Sequence, residues 1–354
     1  MKRERLLVLV IVVAVLMASG CSLEFEQANG GTVNTTAPTP TPTPTPIPTP
    51  TPIPTPTPTP ARVEISVFHA DDNELVAMIK SGEIPAYVTH LLFWDETNIS
   101  DLTPLADLTN LTMLLVDGDI DDITPLASLT NLTELWLGVN EGCDITPLAD
   151  LPNLTHLSLN GVTDLSPLSN FTNLTNLWLV YTRINDITPL ANLPSLTQLD
   201  LSHNIISDIA PLANLTNLTW LSLANNSISD LTPLAGLRNL TELNLSNNSV
   251  SDLTPLASLR NLTNLNLANN TINDITPLTD LTNLSTLYLG NNQISDITSL
   301  ARLSRLRSVN INNNQVSDLI PLSGLRNITT LSLENNPITD WSPVEHIYRV
   351  RGRP

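Results

Sequence analysis

A 22-residue sentence recurs along this chain almost verbatim. Leu240 to Asn261 reads LTELNLSNNSVSDLTPLASLRN and Leu262 to Asn283 reads LTNLNLANNTINDITPLTDLTN, with leucine, asparagine, aspartate and proline at the same offsets. A fixed period of about 20 to 29 residues dictates a solenoid, in which each unit buries its apolar edge only against its neighbours. With the first leucine as offset 1, units open at Val88, Leu111, Leu132, Leu154, Leu174, Leu196, Leu218, Leu240, Leu262, Leu284, Leu306 and Ile328. Offsets 1, 4 and 6 are apolar in all twelve units. The alternation of 4 and 6 is the period-2 mark of a short strand with one face in the core.

Three further columns have structural readings. Asparagine stands at offset 9 in most units, from Asn140 through Asn204, Asn226, Asn248, Asn270, Asn292 and Asn314 to Asn336. A side chain with both donor and acceptor can satisfy backbone groups where the chain leaves the strand, so a stacked ladder is expected. The second half of each unit runs Asp-Leu/Ile-Thr-Pro-Leu-Ala-x-Leu, in which aspartate or threonine caps and proline suits the first position of a helical turn. Only Ser299 breaks the proline column, in the tenth unit. The spacing between apolar anchors is too short for an α-helix and predicts 3₁₀-like turns on the convex side.

These residues resemble leucine-rich repeats of the bacterial internalin type, a repeat also similar to that of a eukaryotic phosphatase regulator. The resemblance covers Val88 to about Trp341. It implies an α/β solenoid: a right-handed leucine-rich-repeat horseshoe with a concave parallel β-sheet, convex 3₁₀-like turns and an N-terminal helical cap. It also implies a concave face that binds another macromolecule.

What precedes the repeats speaks of export. Lys2, Arg3 and Arg5 open the chain, Leu6 to Ala18 is a short apolar run, and Ala18-Ser19-Gly20-Cys21 closes it. A run this short, ending in small residues, reads as a secretory signal rather than a membrane span. Cys21 after those residues resembles the lipobox of bacterial lipoproteins, which implies lipidation of Cys21 and anchorage at the outer face of the cytoplasmic membrane or cell surface. Ala18 stands where the commonest lipobox has leucine, and an ordinary signal peptide cut at Gly20 is the alternative. From Pro38 to Pro60 every second residue is proline. Such a segment adopts extended polyproline II at ~3.1 Å per residue and forms a semi-rigid stalk of roughly 70 Å.

Between stalk and repeats, Asp71 to Glu74 and Gly82 are start and stop signals for one helix, expected to cap the first unit. At the far end Trp341, Val344, Ile347 and Tyr348 are candidates to shield the last unit. The expected organisation is a signal peptide at 1–20, a polar segment at 21–37, the stalk at 38–60, a helical cap at 61–87, twelve repeats at 88–341 and a C-terminal tail and cap at 342–354.

Composition removes options. A formal charge of −19 argues against nucleic acid, whose phosphates need a basic surface. One aspartate column, Asp101, Asp122, Asp144, Asp164, Asp186, Asp208, Asp230, Asp252, Asp274, Asp296, Asp318 and Asp340, carries twelve of those charges. These are read as caps, because one carboxylate per turn supplies too few oxygens for calcium. Cys143 is read as packed rather than reactive. Of the histidines only His203 lies near a repeat-mate carboxylate, Asp200, with no recognisable nucleophile beside them. No enzyme activity, cofactor or metal site is expected, and a monomer is.

Function is therefore sought at the offsets the repeat leaves free, 3, 5 and 7 on the concave face and 8 at its rim. Trp94 stands at offset 7, Trp136 and Trp178 at 5, and Trp220 at 3, each 42 residues from the next. With strands ~4.8 Å apart, these alternate-unit tryptophans form a diagonal stripe with steps of about 10 Å. His156, Asp200 and the rim residue Tyr181 share that half, and Tyr288 is the main aromatic beyond it. Aromatic anchors of this kind favour a protein partner. A glycan stacked on the rings is the rival ligand, and an intracellular regulatory scaffold is a third reading, opposed by the export signal. Unit lengths of 23, 21, 22 and 20 before a constant 22 place the irregular turns in the same half.

Overall fold

The computed structural model describes residues 62–68, 70–94 and 98–353. The signal peptide, Cys21, the polar segment and the stalk lie outside the described residues. Every unit contributes one strand to a single parallel sheet whose spatial order is its chain order. Its first five strands have five residues each: β1 (Glu64–Phe68), β2 (His90–Trp94), β3 (Met113–Asp117), β4 (Glu134–Gly138) and β5 (His156–Asn160). The rest have three: β6 (Asn176–Trp178), β7 (Gln198–Asp200), β8 (Trp220–Ser222), β9 (Glu242–Asn244), β10 (Asn264–Asn266), β11 (Thr286–Tyr288), β12 (Ser308–Asn310), β13 (Thr330–Ser332) and β14 (Arg349–Arg351). Neighbours pair in repeat register, as in Leu243 opposite Leu265 and Leu265 opposite Leu287. The sheet is open, with β1 and β14 at its edges.

The apolar offsets form one continuous core. Leu240, Leu243 and Leu245, at offsets 1, 4 and 6 of the eighth unit, are buried together with the turn residues Leu253, Leu256 and Leu259. Each turn is a 3₁₀ segment such as Thr254–Ser258, led in all but one of them by proline at the first or second position. In front of it the column aspartate accepts the backbone N–H two residues on, 2.8 Å for Asp252 and Thr254. A hydrogen bond from the hydroxyl at that position, and then the backbone bond, hold the Asp122, Asp144, Asp186 and Asp252 carboxyls below the usual range. The column thus keeps its charge while capping.

Ser299 forms the same turn without the proline. The preceding Ile297 has φ −115° and ψ 18°, against −111° and 12° for Ile275 before a proline-led turn. Among the described residues the buried Ser299 hydroxyl has no hydrogen-bond partner. Ser299→Pro removes that orphan and pre-sets φ, so a stabilisation of about 0.5–2 kcal/mol is expected. Urea denaturation would read it as a higher midpoint at unchanged slope; a lower midpoint would mean that the ring does not fit.

The asparagine ladder is real and narrower than its sequence column. Asn270 Nδ2 donates to Leu267 O of its own unit (3.1 Å) and Leu245 O of the preceding one (3.0 Å), while its Oδ1 accepts Val250 N–H (2.9 Å). The same backward-reaching set recurs at Asn204, Asn226, Asn248, Asn292, Asn314 and Asn336. Asn140 stands apart, since its Nδ2 bonds the Asp121 carboxylate at 2.8 Å.

Both ends close with more than the expected caps. The helix α1 (Asp72–Ser81) starts from a reciprocal capping box between Asp71 and Glu74 and stops at Gly82, whose φ of 82° is the left-handed conformation glycine adopts without strain. Asp72 fastens it to the first unit by accepting Ser100 N–H (2.8 Å), Ser100 Oγ–H (2.6 Å) and Asp101 N–H (3.0 Å). Ahead of it, β1 is a strand the helical-cap expectation did not contain. At the other end Val344 and Ile347 are buried and Trp341 packs against the core, but Tyr348 points outward and β14 makes a fourteenth strand.

Candidate functional site

Strand alternation puts offsets 3 and 5 on the face opposite the core, and the structure separates the expected stripe into two environments. At offset 5 the register runs Leu115, Trp136, Ser158, Trp178, Asp200 across β3 to β7. Here Trp136 and Trp178 retain only 3% and 1% of their exposure and stand outside the main core cluster. Trp178 stacks against His156, with ring centroids 6.4 Å apart and planes 23° from parallel. His156 in turn meets the Thr155 hydroxyl at 2.9 Å through Nδ1. Burial pulls its pKa down against the opposing charge of Glu134, which favours the neutral ring. Asp200 accepts Ser202 N–H at 2.9 Å. Burial pushes its carboxyl up, opposed by hydrogen bonds from Ser202 and Ser222. Trp94, at the end of β2, is half-buried.

The rim has its own geometry. Offset 8 is left-handed from Gly161 onward, and asparagine, which tolerates that region, fills it from Asn225 to Asn335. Tyr181 (φ 59°) and His203 (φ 58°) occupy the same conformation with bulkier side chains. Their rings stack at a centroid distance of 4.0 Å, with Tyr181 Oη 3.2 Å from His203 Nε2. Asn225 Nδ2 lies 3.1 Å from the same nitrogen. His203 is thus engaged by Tyr181 and Asn225, and burial lowers its pKa. The His203 and Asp200 pairing suggested by their spacing is not among its hydrogen bonds.

Two more accessible aromatics stand farther along, Trp220 half-buried and Tyr288 exposed. Trp220 on β8 and Tyr288 on β11 border a concave groove of about 400 Å³, whose polar lining includes Glu242, Asn244, Asn264 and Thr286. Asn244 and Asn266 each use Oδ1 on the backbone N–H two residues on, leaving Nδ2 directed elsewhere. Among the described residues no partner engages the side chains of Glu242, Asn264 or Thr286, or the Tyr288 hydroxyl. The sequence singles out Trp220 and Tyr288 but not the polar residues between them. Their signal was present as amide and hydroxyl residues at offsets 3 and 5 between two aromatics, rather than as an aromatic cluster.

Other candidates have structural employment. Cys143 Sγ–H donates to Asp121 O at 3.4 Å, and burial, followed by the charges of Asp121, Asp122 and Asp144, pushes its thiol up. Among the described residues no group of three His, Cys, Asp or Glu side chains is placed to hold a metal ion, and no helix is long and apolar enough to cross a membrane.

Repeated strand, ladder and turn together define a leucine-rich-repeat protein. The family model for paired leucine-rich repeats matches residues 152–192, 172–214, 216–258, 260–302 and 304–346, and the chain belongs to that family in its bacterial internalin type. It is 40% identical to an internalin (inlF) of Listeria monocytogenes over 76% of this chain and 81% of that one, with a TM-score of 0.70. A Leptospira interrogans LRR protein shares the fold at 19% identity, covering 81% of this chain and 89% of that one, with a TM-score of 0.60. A plant peptide hormone receptor, RGFR1, solved in complex with RGF2, does so at 16% identity, 80% and 57% coverage and a TM-score of 0.56. No curated protein matches the sequence.

Proposed function

We propose that this is an exported, lipid-anchored surface protein that captures another protein on its concave face. The observation that carries the reading is the groove between Trp220 and Tyr288, where aromatic rings border polar groups that the fold itself leaves unengaged. Few large aromatic anchors with satisfiable polar neighbours are the usual composition of an interface centre. Trp94 and the Tyr181–His203 stack extend the same surface along the rim. Trp136, Trp178 and His156 shape its floor, and Asp200 lies beside them. The internalin kinship supports interaction rather than catalysis. The basic start, apolar run and Cys21, followed by the stalk, support presentation outside the cell at a distance from the membrane.

The combined variant Trp220→Ala and Tyr288→Ala tests this. Cell-surface proteins of host and neighbouring cells, and a panel of wall glycans, would be screened against the wild type and then against the variant. Protein capture weakened about 30- to 1,000-fold, as loss of about 2–4 kcal/mol of hot-spot energy requires, is the expected result. Unchanged protein capture by a folded variant would remove the groove from the interface. Retention of glycans alone would replace a protein ligand with a sugar.

A further inference from the structure

The two ends of the sheet share a register and differ in charge. Across the interior strands, offset 4 is sealed: from Leu91 to Leu331 no residue in that column keeps more than 2% of its exposure. At the edges the same column holds Ile65 on β1 and Val350 on β14, which are only half-buried. Each end therefore leaves an unfinished core strand, paired on one side alone within the described residues. Two large apolar side chains stand exposed on these strands or beside them, Phe68 at 60% and Tyr348 at 94%.

Charge distinguishes the ends. Residues 62–101 carry eight Asp and Glu against two Lys and Arg, whereas residues 301–354 carry seven Lys and Arg against four Asp and Glu, giving −6 and +3. Arg349 and Arg351 are exposed, with no acidic partner among the described residues. Glu64 pairs with His90, and Thr330 with Arg349, so Glu64 and Arg349 hold the same register position at opposite edges. A copy added beyond β14 in unbroken register would set Arg349 opposite Glu64, Val350 opposite Ile65 and Arg351 opposite Ser66. All strands are parallel, so this addition keeps both polarity and side-chain face.

We infer that a second copy of this chain docks head to tail, β1 of one molecule continuing the sheet beyond β14 of another. Like ends repel, since two β14 edges would oppose arginines, and an exposed edge strand is the standing template for such pairing. The contact is heterologous and does not consume its own complement, so it propagates in an open row instead of closing a dimer. It seals the offset-4 column at each joint and leaves the concave groove free. This differs from the monomer expected from the sequence, and it holds whatever the groove binds.

The test uses two full-length variants, Ser66→Cys and Arg351→Cys, expressed together or singly in an exporting bacterial host and oxidised at the cell surface. Register partners in adjacent strands lie within disulfide reach. The expected result is a disulfide between the two variants when co-expressed, and none from either alone beyond the background of the unmodified chain. Arg349→Glu should lower that yield about tenfold, by turning an opposite-charge pair into a like-charge one. Adding Glu64→Arg to Arg349→Glu should restore it. Cross-links between like ends, or yields indifferent to both charge changes, would overturn the inference, as would monomers alone in sedimentation of the detergent-solubilised chain at all concentrations.

Discussion

Asn270→Asp is expected to destabilise the solenoid by about 3–5 kcal/mol, because it exchanges a buried double donor for an anion facing carbonyl oxygens. The amide donates to Leu245 O and Leu267 O while accepting Val250 N–H. Aspartate keeps the last bond, takes one of two amide donors from each carbonyl, leaving Leu245 O to Asn248 Nδ2 and Leu267 O to Asn292 Nδ2, and adds a charge in a site that is 9% exposed. Because that carboxyl would be forced upward in pKa, part of the loss should return as the pH falls and it gains a proton. Denaturant midpoints for Asn270→Asp and Asn270→Ala at neutral and acid pH would measure this. A midpoint equal to the wild type's would mean that the ladder is decoration.

Leu243→Ala should lose about 2–5 kcal/mol by leaving a cavity between three stacked units. Leu243 is 2% exposed and sits opposite Leu221 and Leu265 in the neighbouring strands. A solenoid has only nearest-neighbour interfaces, so the defect lies in the middle of the array and weakens coupling between its halves. Hydrogen exchange should report faster opening in units seven to nine than at either end. Uniform protection with an unchanged melting temperature would show that offset 4 was assigned to the wrong face.

Much of this molecule was legible because a repeat states its geometry many times. Offsets 1, 4 and 6, the aspartate cap, the 3₁₀ turn and the helix from Asp72 all follow from local chemistry that neighbouring units do not alter. The end strands were harder to read. Val63, Ile65 and Val67 alternate as a strand should, but without a consensus turn to mark a unit, and Arg349-Val350-Arg351 is too short to show a period. The site was legible only as a face. Offset 5 says that Trp136 and Trp178 stand opposite the core; it does not say how crowded that face becomes when Leu115, Ser158 and His156 lie alongside. Conversely, Asn264 and Thr286 look like more of the same polar repeat until their side chains are found to have no hydrogen-bond partner among the described residues.

The ladder also gives the solenoid a grain. The side-chain amide of each asparagine from Asn226 to Asn336 reaches back to a carbonyl and a backbone N–H of the preceding unit, while the backbone N–H of Asn226, Asn248 and Asn270 donates forward to the next unit. A unit's amide bonds its own strand carbonyl alone, and completes its set only with its predecessor in place. A chain threaded through an export channel with its amino end leading meets that requirement in order, each newly emerged unit finding its acceptors already laid out. Unravelling from the carboxyl end strips one rung at a time, whereas disturbing an early unit deprives its successor of a template. The side-chain rungs of the ladder thus all point toward the amino end.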